Sequence, residues 1–219
     1  MKILLIIFLG CSIAVAGASG EKYSYRLRIG SQETINTWTR GMIKPGRIEL
    51  TATKTATGEF DKMICDEGYS TLEWFYTNKI KRTNFHAVRE NSFIQISGEF
   101  EGKQLKKTIE IETAEWYQVP EFAISRMLAA RKDFVIFSMF WIDKMSFYVM
   151  KAARIGEEKI LIDGKEIDTI KVKMSLTGFK SVFWHADYWF RKSDFLIVKY
   201  IGVNGLPGTG SSVVELIAR

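Results

Sequence analysis

Strand-type alternation is the sequence feature that most restricts the fold of this chain. Apolar and polar residues alternate with a period of two over residues 23–29, 47–53 and 169–176. This pattern is typical of an antiparallel sheet that has one face on a core and the other in water. The dipeptide Asp163-Gly164 predicts a two-residue hairpin turn. A small outer-membrane barrel also uses alternating strands, but the polar faces here are rich in Lys, Glu and Thr and several strands are short, which disfavours it.

Residues 120–132 break the alternation and predict a helix. Pro120 stands at the first helical position, Glu121 lies in the first turn and basic residues lie in the last turn. One short amphipathic helix cannot cover a large flat sheet, so the sheet must curl around it. We therefore predict a mainly β fold, a curved antiparallel sheet or half-barrel, with the helix packed on its concave face. The apolar run 134–142 predicts a buried strand directly after the helix.

The N-terminus has the pattern of a secretory signal peptide. Residues 1–18 contain one basic residue, a short apolar run and small residues that end in Ala-x-Ala. Cleavage after Ala18, or after Ala16, predicts export to the periplasm and leaves residues 19–219 as a single β-rich domain. Lipid attachment at Cys11 is the minor alternative. The segment is too short and too interrupted for a transmembrane anchor, and we expect no transmembrane span in the mature chain.

Few residues offer chemistry. Cys65 would be the only cysteine of the mature chain, and we expect it to be a buried thiol that acts as a small apolar group. His86 and His185 lie far apart, and no Cys or His pair has the spacing of a zinc site. We therefore expect no metal, no cofactor and no enzymatic activity. The best enzyme hypothesis pairs His185 with Asp187 on one strand face.

The basic charge is spread along the chain. Its formal net value is +6, and the Lys and Arg residues form only short groups. A solvated sheet face explains most of these charges, and contact with an anionic membrane surface is the weaker alternative. Export disfavours a nucleic-acid partner.

The aromatic segment 183–190 suggests a ligand cavity. Trp184, Tyr188 and Phe190 fall on one face of a strand, and large rings also occupy the other face. Ligand cavities have many apolar walls and few polar groups. If the concave face holds such a cavity, we expect these three residues to line it together with Met127 and Leu128 of the helix. The alternative is that the same side chains fill the core completely.

The C-terminal half resembles a group of exported bacterial proteins of unknown function. The resemblance is carried by residues 158–172, by Tyr188-Trp189-Phe190 and by residues 194–200, and it extends over roughly residues 115–217. This group is similar in architecture to the lipoprotein-localisation-factor (LolA-like) fold, a curved half-barrel closed by helix on its concave side. The resemblance implies a half-barrel in the cell envelope, and the best-known members of that fold carry acyl chains.

These observations lead to two functional hypotheses. The leading one is an exported envelope protein that binds a lipid, an acyl chain or another apolar or amphiphilic ligand on the concave face. The alternative is a non-enzymatic assembly role through contact of a sheet edge with an envelope protein partner. The terminal strand 213–217 is apolar enough to lie against such an edge.

Overall fold

A long antiparallel sheet dominates the structure. The computed structural model describes residues 20–54, 58–182, 184–203 and 211–218, and over these residues the chain forms fourteen strands and one α-helix. In chain order the strands are β1 (Glu21–Ile29), β2 (Gln32–Lys44), β3 (Arg47–Lys54), β4 (Glu59–Cys65), β5 (Thr71–Asn78), β6 (Thr83–Glu90), β7 (Phe93–Phe100), β8 (Lys103–Glu110), β9 (Phe134–Trp141), β10 (Ser146–Ile162), β11 (Lys165–Leu176), β12 (His185–Arg191), β13 (Ile197–Val203) and β14 (Ser211–Ala218).

The strand order explains how the sheet wraps. All fourteen strands belong to one sheet in the order β8-β7-β6-β5-β4-β3-β2-β1-β14-β13-β12-β11-β10-β9. The first strand therefore pairs with the last, with Leu27 opposite Val214. The two edges of the sheet are β8 and β9, which follow each other in the chain. The predicted mainly β, curved antiparallel architecture is confirmed.

An irregular segment, residues 111–119, bridges the edge strand β9 to the middle of the opposite half. Trp116 forms a parallel bridge with Ser138 of β9. The Ser138 N–H donates to the Glu115 carbonyl at 2.8 Å, and the Thr71 N–H of β5 donates to the Trp116 carbonyl at 2.6 Å. The segment thus supplies backbone hydrogen bonds where the strand ladder ends.

The helix α1 (Pro120–Ala129) follows this segment and packs inside the curve of the sheet, as predicted. Its buried residues Ala123, Ile124, Met127 and Leu128 share one core cluster with strands β1 and β9–β13. The helix ends three residues before the predicted boundary at 132. Arg131 has a φ of 54°, a left-handed conformation that cannot continue a helix.

One further prediction needs correction, and the position of the terminal strand, for which the sequence allows either edge pairing or ordinary sheet closure, is decided. The run 134–142 is only half buried: Phe137 and Phe140 face the core, but Phe134 is 52% exposed and Ile136 is 44% exposed. An edge strand whose outer face is uncovered by other elements leaves alternate side chains in solvent. The terminal strand β14 does not lie at a sheet edge, because it pairs with β13 on one side and with β1 on the other. The predicted signal peptide and Cys11 lie outside the described residues.

The predicted Asp163-Gly164 turn joins β10 to β11, and the end of this hairpin folds onto the outer face of the sheet. Trp189 points outward and is buried with Ile162 and Val198. Its indole Nε1–H donates to the Glu158 carboxylate at 2.6 Å. A small second core therefore lies on the convex side, separate from the interior.

Gly98 of β7 gives a direct test of the strand packing. Its φ is 141°, and a Cβ atom there would lie 2.2 Å from the carbonyl oxygen of Asn84 on β6. Gly98→Ala should therefore lower the free energy of unfolding by at least about 2 kcal/mol, because the backbones of β6 and β7 must separate. Urea unfolding followed by tryptophan fluorescence measures the loss.

The matched control is Gly156→Ala. A Cβ atom at Gly156 meets no atom within 4 Å. This variant should stay within about 0.5 kcal/mol of the wild type. Equal effects of the two substitutions would contradict the packing described for β6 and β7.

Candidate functional site

A row of polar side chains crosses the interior of the sheet at one level. The row contains one residue from each of the six neighbouring strands β1 to β6, and each residue pairs directly with the next across the sheet. Its members, from β1 to β6, are Tyr25, Asn36, Lys54, Glu59, Asn78 and Thr83. We call this set the polar row. Each member is in phase with the apolar, core-facing residues of its own strand, so the polar row lies on the concave face.

An ion pair stands in the middle of the polar row. Lys54 Nζ lies 2.6 Å from the Glu59 carboxylate. Asn78 Nδ2 donates to the second oxygen of the same carboxylate at 3.2 Å. Two residues further along β4, Asp61 accepts a hydrogen bond of 2.9 Å from the indole of Trp74. These half-buried charges are therefore paired and hydrogen-bonded, which offsets their partial loss of contact with water.

Burial changes the pKa values of Asp61 and Lys54. It raises the pKa of Asp61, and the positive charge of Lys54 and the Trp74 hydrogen bond only partly oppose this effect. Burial alone would lower the pKa of Lys54, but the charges of Asp61 and Glu59 outweigh it and the pKa of Lys54 is raised overall. Lys54 therefore remains an ammonium ion inside the sheet.

Glu121 brings a further carboxyl group from the first turn of α1. Burial raises its pKa to about 7, although its own backbone hydrogen bond and the charge of Lys54 oppose the rise. Burial and then the charge of Glu121 raise the pKa values of Tyr188 and Tyr200. Glu121 thus lies within electrostatic reach of Lys54 and of the tyrosines of β12 and β13.

Asn36 carries an unsatisfied acceptor. Its side chain is 7% exposed, and its Oδ1 atom has no hydrogen-bond partner within the part of the chain that the structure describes. Asn36 pairs directly with Lys54 across strands β2 and β3. A buried carbonyl oxygen without a donor costs about 1–3 kcal/mol, so this position favours a molecule that brings a donor group.

A cavity of about 220 Å³ adjoins the polar row. One part of its wall is polar, with Lys54 and Asp61, and the rest is mainly apolar or aromatic. The lining residues are Trp38, Lys54, Asp61, Met63, Trp74, Tyr76, Gln118, Val119 and Ile142. Such a wall, apolar with a few convergent polar groups, is typical of a small-molecule site.

Two other concavities, of about 700 and 270 Å³, lie around the β10–β11 hairpin near the convex face. The larger one is lined mainly by charged side chains, including Lys165, Asp168 and Arg191. Solvated charges of this kind offer a ligand little that water does not already provide. The smaller one has a mixed lining in which Asp163, Lys165 and Arg191 stand beside apolar residues. The 220 Å³ cavity differs from both because it lies on the concave face beside the polar row, and we take it as the candidate functional site.

The sequence-predicted cavity residues lie together, but in the neighbouring part of the interior. Tyr188, Phe190, Met127 and Leu128 are buried in one cluster, and Trp184 packs against it half-buried. Trp184 makes an edge-to-face contact with Trp141, with ring centroids 5.5 Å apart. None of the five is among the residues that line the 220 Å³ cavity. Their role in binding a ligand stays a prediction.

The residues of the polar row were missed at the sequence level. Alternation assigns polar residues to the wet face of a strand, yet Lys54 is in phase with Leu50 and Ala52, which are buried. Asp61 is likewise in phase with Met63 and Cys65. The sequence did contain a signal for these residues. A polar residue that continues the apolar side of the alternation points to the core face of its strand.

Cys65, His185 and Asp187 do not line this cavity. Burial raises the pKa of Cys65 to about 12, so its thiol is unreactive, as expected. His185 is exposed, and the Asp187 carboxylate lies 3.2 Å from Lys171 Nζ. Among the described residues, no group of three or more His, Cys, Asp or Glu side chains could hold a metal ion.

Comparison with known proteins supports the fold. No protein-family model matches the sequence, and no curated protein matches it. The structure is similar to a β-barrel-like protein of the domain of unknown function DUF1849 from Brucella abortus, with a TM-score of 0.63 and 8% identity over 90% of this chain and 95% of that chain. The resemblance to a half-barrel group of unknown function is thus confirmed at the level of the fold.

Two more distant matches have similar coverage. The hypothetical lipoprotein YmcC from Escherichia coli aligns with 89% of this chain and 85% of its own, at 12% identity and a TM-score of 0.40. A LolA superfamily protein from Nitrosomonas europaea aligns with 90% of this chain and 82% of its own, at 8% identity and a TM-score of 0.28. Both scores are below 0.5, so the fold likeness rests on the Brucella protein.

Glu121 makes the stability of the protein depend on pH. Between pH 4.5 and about 7 the unfolded chain releases the Glu121 proton while the folded protein keeps it. The favourable contribution of the neutral carboxyl is therefore lost as the pH rises through this window, by up to roughly 3 kcal/mol. Glu121→Gln should remove this loss, so that the variant gains stability relative to the wild type from pH 4 to pH 8.

The measurement is urea unfolding of both proteins across that range, and the informative quantity is the difference between the two curves. Glu112→Gln serves as the control, because it removes an exposed carboxyl group in the segment 111–119 that precedes α1. A difference curve for E121Q that is as flat as that for E112Q would show that Glu121 is not buried as described.

Proposed function

We propose that the protein is an exported envelope protein that binds an amphiphilic ligand, a lipid or an acyl chain, inside the half-barrel. The observation that carries this proposal is the junction of the polar row with the apolar-walled cavity. Lys54 in the cavity wall, with Asn36 beside it on β2, would hold the polar group of the ligand, and Met63, Val119 and Ile142 would contact its apolar part. We propose binding without catalysis.

The polar groups of the site favour a ligand that donates hydrogen bonds. Asn36 Oδ1 is an acceptor without a donor among the described residues. The charge of Lys54 is already balanced by Glu59, so a second full negative charge gains less there than a hydroxyl or amide group. A hydroxyl-bearing lipid such as a monoacylglycerol fits this arrangement better than a free fatty acid.

The apolar walls contribute the remaining affinity. Removal of about 100 Å² of hydrocarbon from water stabilises a complex by roughly 2.5 kcal/mol before entropic costs. The cavity of about 220 Å³ is smaller than the roughly 300–1,000 Å³ of a pocket for a drug-sized ligand. We therefore expect it to hold the polar group and the adjoining part of a chain.

The first test identifies a ligand directly. The mature protein is purified without detergent, weighed by native mass spectrometry and extracted with organic solvent. We expect an amphiphile that leaves on extraction. A ligand-free protein that also fails to bind a fluorescent monoacylglycerol or a fluorescent fatty acid would exclude the proposal.

Lys54 should control the affinity for the polar group. Lys54→Met keeps the length of the side chain but removes the ammonium donors, and we expect the dissociation constant of a fluorescent monoacylglycerol to rise about tenfold. Lys62→Met is the matched control, since Lys62 lies on the neighbouring strand and pairs with Glu49 at 2.8 Å on the outer face. Equal affinities of the two variants would contradict the placement of the polar group.

Two tryptophan variants separate the cavity from the sequence-predicted site. Trp38 lines the cavity, whereas Trp184 packs on the neighbouring core cluster. Trp38→Ala should weaken probe binding more than Trp184→Ala if the ligand occupies the cavity. The reverse order would assign the ligand to the region of Trp184, Tyr188 and Phe190.

The assembly hypothesis has less support. The terminal strand proposed for edge pairing lies between two other strands, and the segment 111–119 bonds to part of β9. Co-purification of a stoichiometric protein partner with a ligand-free chain would favour it over ligand binding.

A further inference from the structure

Three large apolar side chains stand in solvent at one end of the half-barrel. Phe179 is 80% exposed, Val182 is 76% exposed and Ile80 is 74% exposed. Ile80 is in the turn between β5 and β6, and the other two are in a 3₁₀ helix, Gly178–Val182, that follows β11. They are the three most exposed of the large apolar side chains that the structure describes, and their position at the same end of the sheet distinguishes them from singly scattered ones.

These side chains belong to one continuous arc of connections, which we call the rim. The β5–β6 turn contacts the β7–β8 turn, where the Gly102 N–H donates to the Arg82 carbonyl at 2.9 Å. It also approaches the 3₁₀ turn Ile142–Lys144, with Lys81 Nζ 3.4 Å from Asp143. That turn leads into β10, which pairs with β11, the strand before the 3₁₀ helix, and Trp141 next to the turn contacts Trp184 just after that helix.

Basic residues flank the apolar positions of the rim. Ile80 stands between Lys79 and Lys81, and Phe179 precedes Lys180. Lys144 lies in the turn between these two groups, and the four lysines outnumber the acidic residues of these turns, Asp143 and Glu101. Apolar tips that alternate with lysines match the boundary of a bilayer, where acyl chains meet anionic headgroups.

Aromatic residues lie behind the rim. The Trp141 ring is 4.6 Å from the Tyr148 ring and 5.5 Å from the Trp184 ring, measured between centroids. All three are half-buried. Trp and Tyr at such depths are typical of side chains at a membrane–water interface.

We infer that the rim is a docking surface for an anionic lipid bilayer. The isolated apolar tips separated by lysines fit a fluid, negatively charged surface better than the flat apolar patch of a protein interface. Ile142 lines the interior cavity and belongs to one of the rim turns, so docking places the cavity beside the membrane. The inference goes beyond ligand binding and does not require an occupied cavity.

The opposite end of the half-barrel supplies a control of the same chemistry. Met42 is 61% exposed and Ile43 is 51% exposed at the end of β2, next to Lys44. This tip has exposed apolar and basic residues like those of the rim but lies at the other end of the sheet, with the acidic pair Asp66 and Glu67 in the next connection.

The test is co-sedimentation with phosphatidylcholine vesicles that contain or lack phosphatidylglycerol. The wild-type protein should sediment with the anionic vesicles only and should be released by high salt. Phe179→Ser with Val182→Ser should lower the partition coefficient about tenfold. Lys79→Gln, Lys144→Gln and Lys180→Gln together should lower it about a hundredfold.

Met42→Ser with Ile43→Ser should leave the partition coefficient within about twofold of the wild type. The exposed positions of all these residues keep the variants folded, which circular dichroism verifies. Equal binding to vesicles without phosphatidylglycerol, no binding to either vesicle, or an equal loss in the Met42 and Ile43 variant would overturn the inference. Probe binding in solution, measured on the same rim variants, stays unchanged whether or not the rim binds vesicles.

Discussion

Burial of one apolar sheet face is the constraint on which this structure depends. Fourteen strands present far more apolar surface than a ten-residue helix can cover as a lid. The sheet therefore curls until its concave face contacts α1. The curl also brings the inner faces of the two halves of the sheet together, and Trp38 contacts the core cluster of each half. Curvature, the interior position of the helix and the cavity on the concave face all follow from this requirement.

The same enclosure determines the electrostatics of the interior. Lys54, Glu59, Asp61 and Glu121 would be ordinary surface groups on a flat sheet, but in the half-barrel they must be paired, hydrogen-bonded or neutral. The structure uses each of these solutions: an ion pair for Lys54 with Glu59, an indole hydrogen bond for Asp61 and a raised pKa for Glu121. A polar group enclosed in this way has few alternative partners and is therefore selective for what it binds.

Local signals predicted the fold better than the site. The signals for the sheet, the hairpin and the helix each depend on residues that are close in sequence: the alternation, the Asp163-Gly164 turn and Pro120. The structure confirms all three elements. The polar row is different, because Asn36 and Lys54 become neighbours only through strand pairing, and a single lysine at a strand end gives no sign of its partners. The exposure of Phe134 and the interior position of β14 also depend on sheet order, which residue patterns do not encode.

The pairing of β1 with β14 has a consequence for biogenesis. Residues such as Leu27 and Val214 lie at opposite ends of the chain, so their contact closes a loop of almost the whole sequence. Contacts of such large sequence separation form late and slowly in folding. The sheet cannot be completed until β14 has been synthesised, because β14 lies between β1 and β13. A chain truncated before β14 would expose the edges of β1 and β13 in the middle of the sheet, where other chains can add.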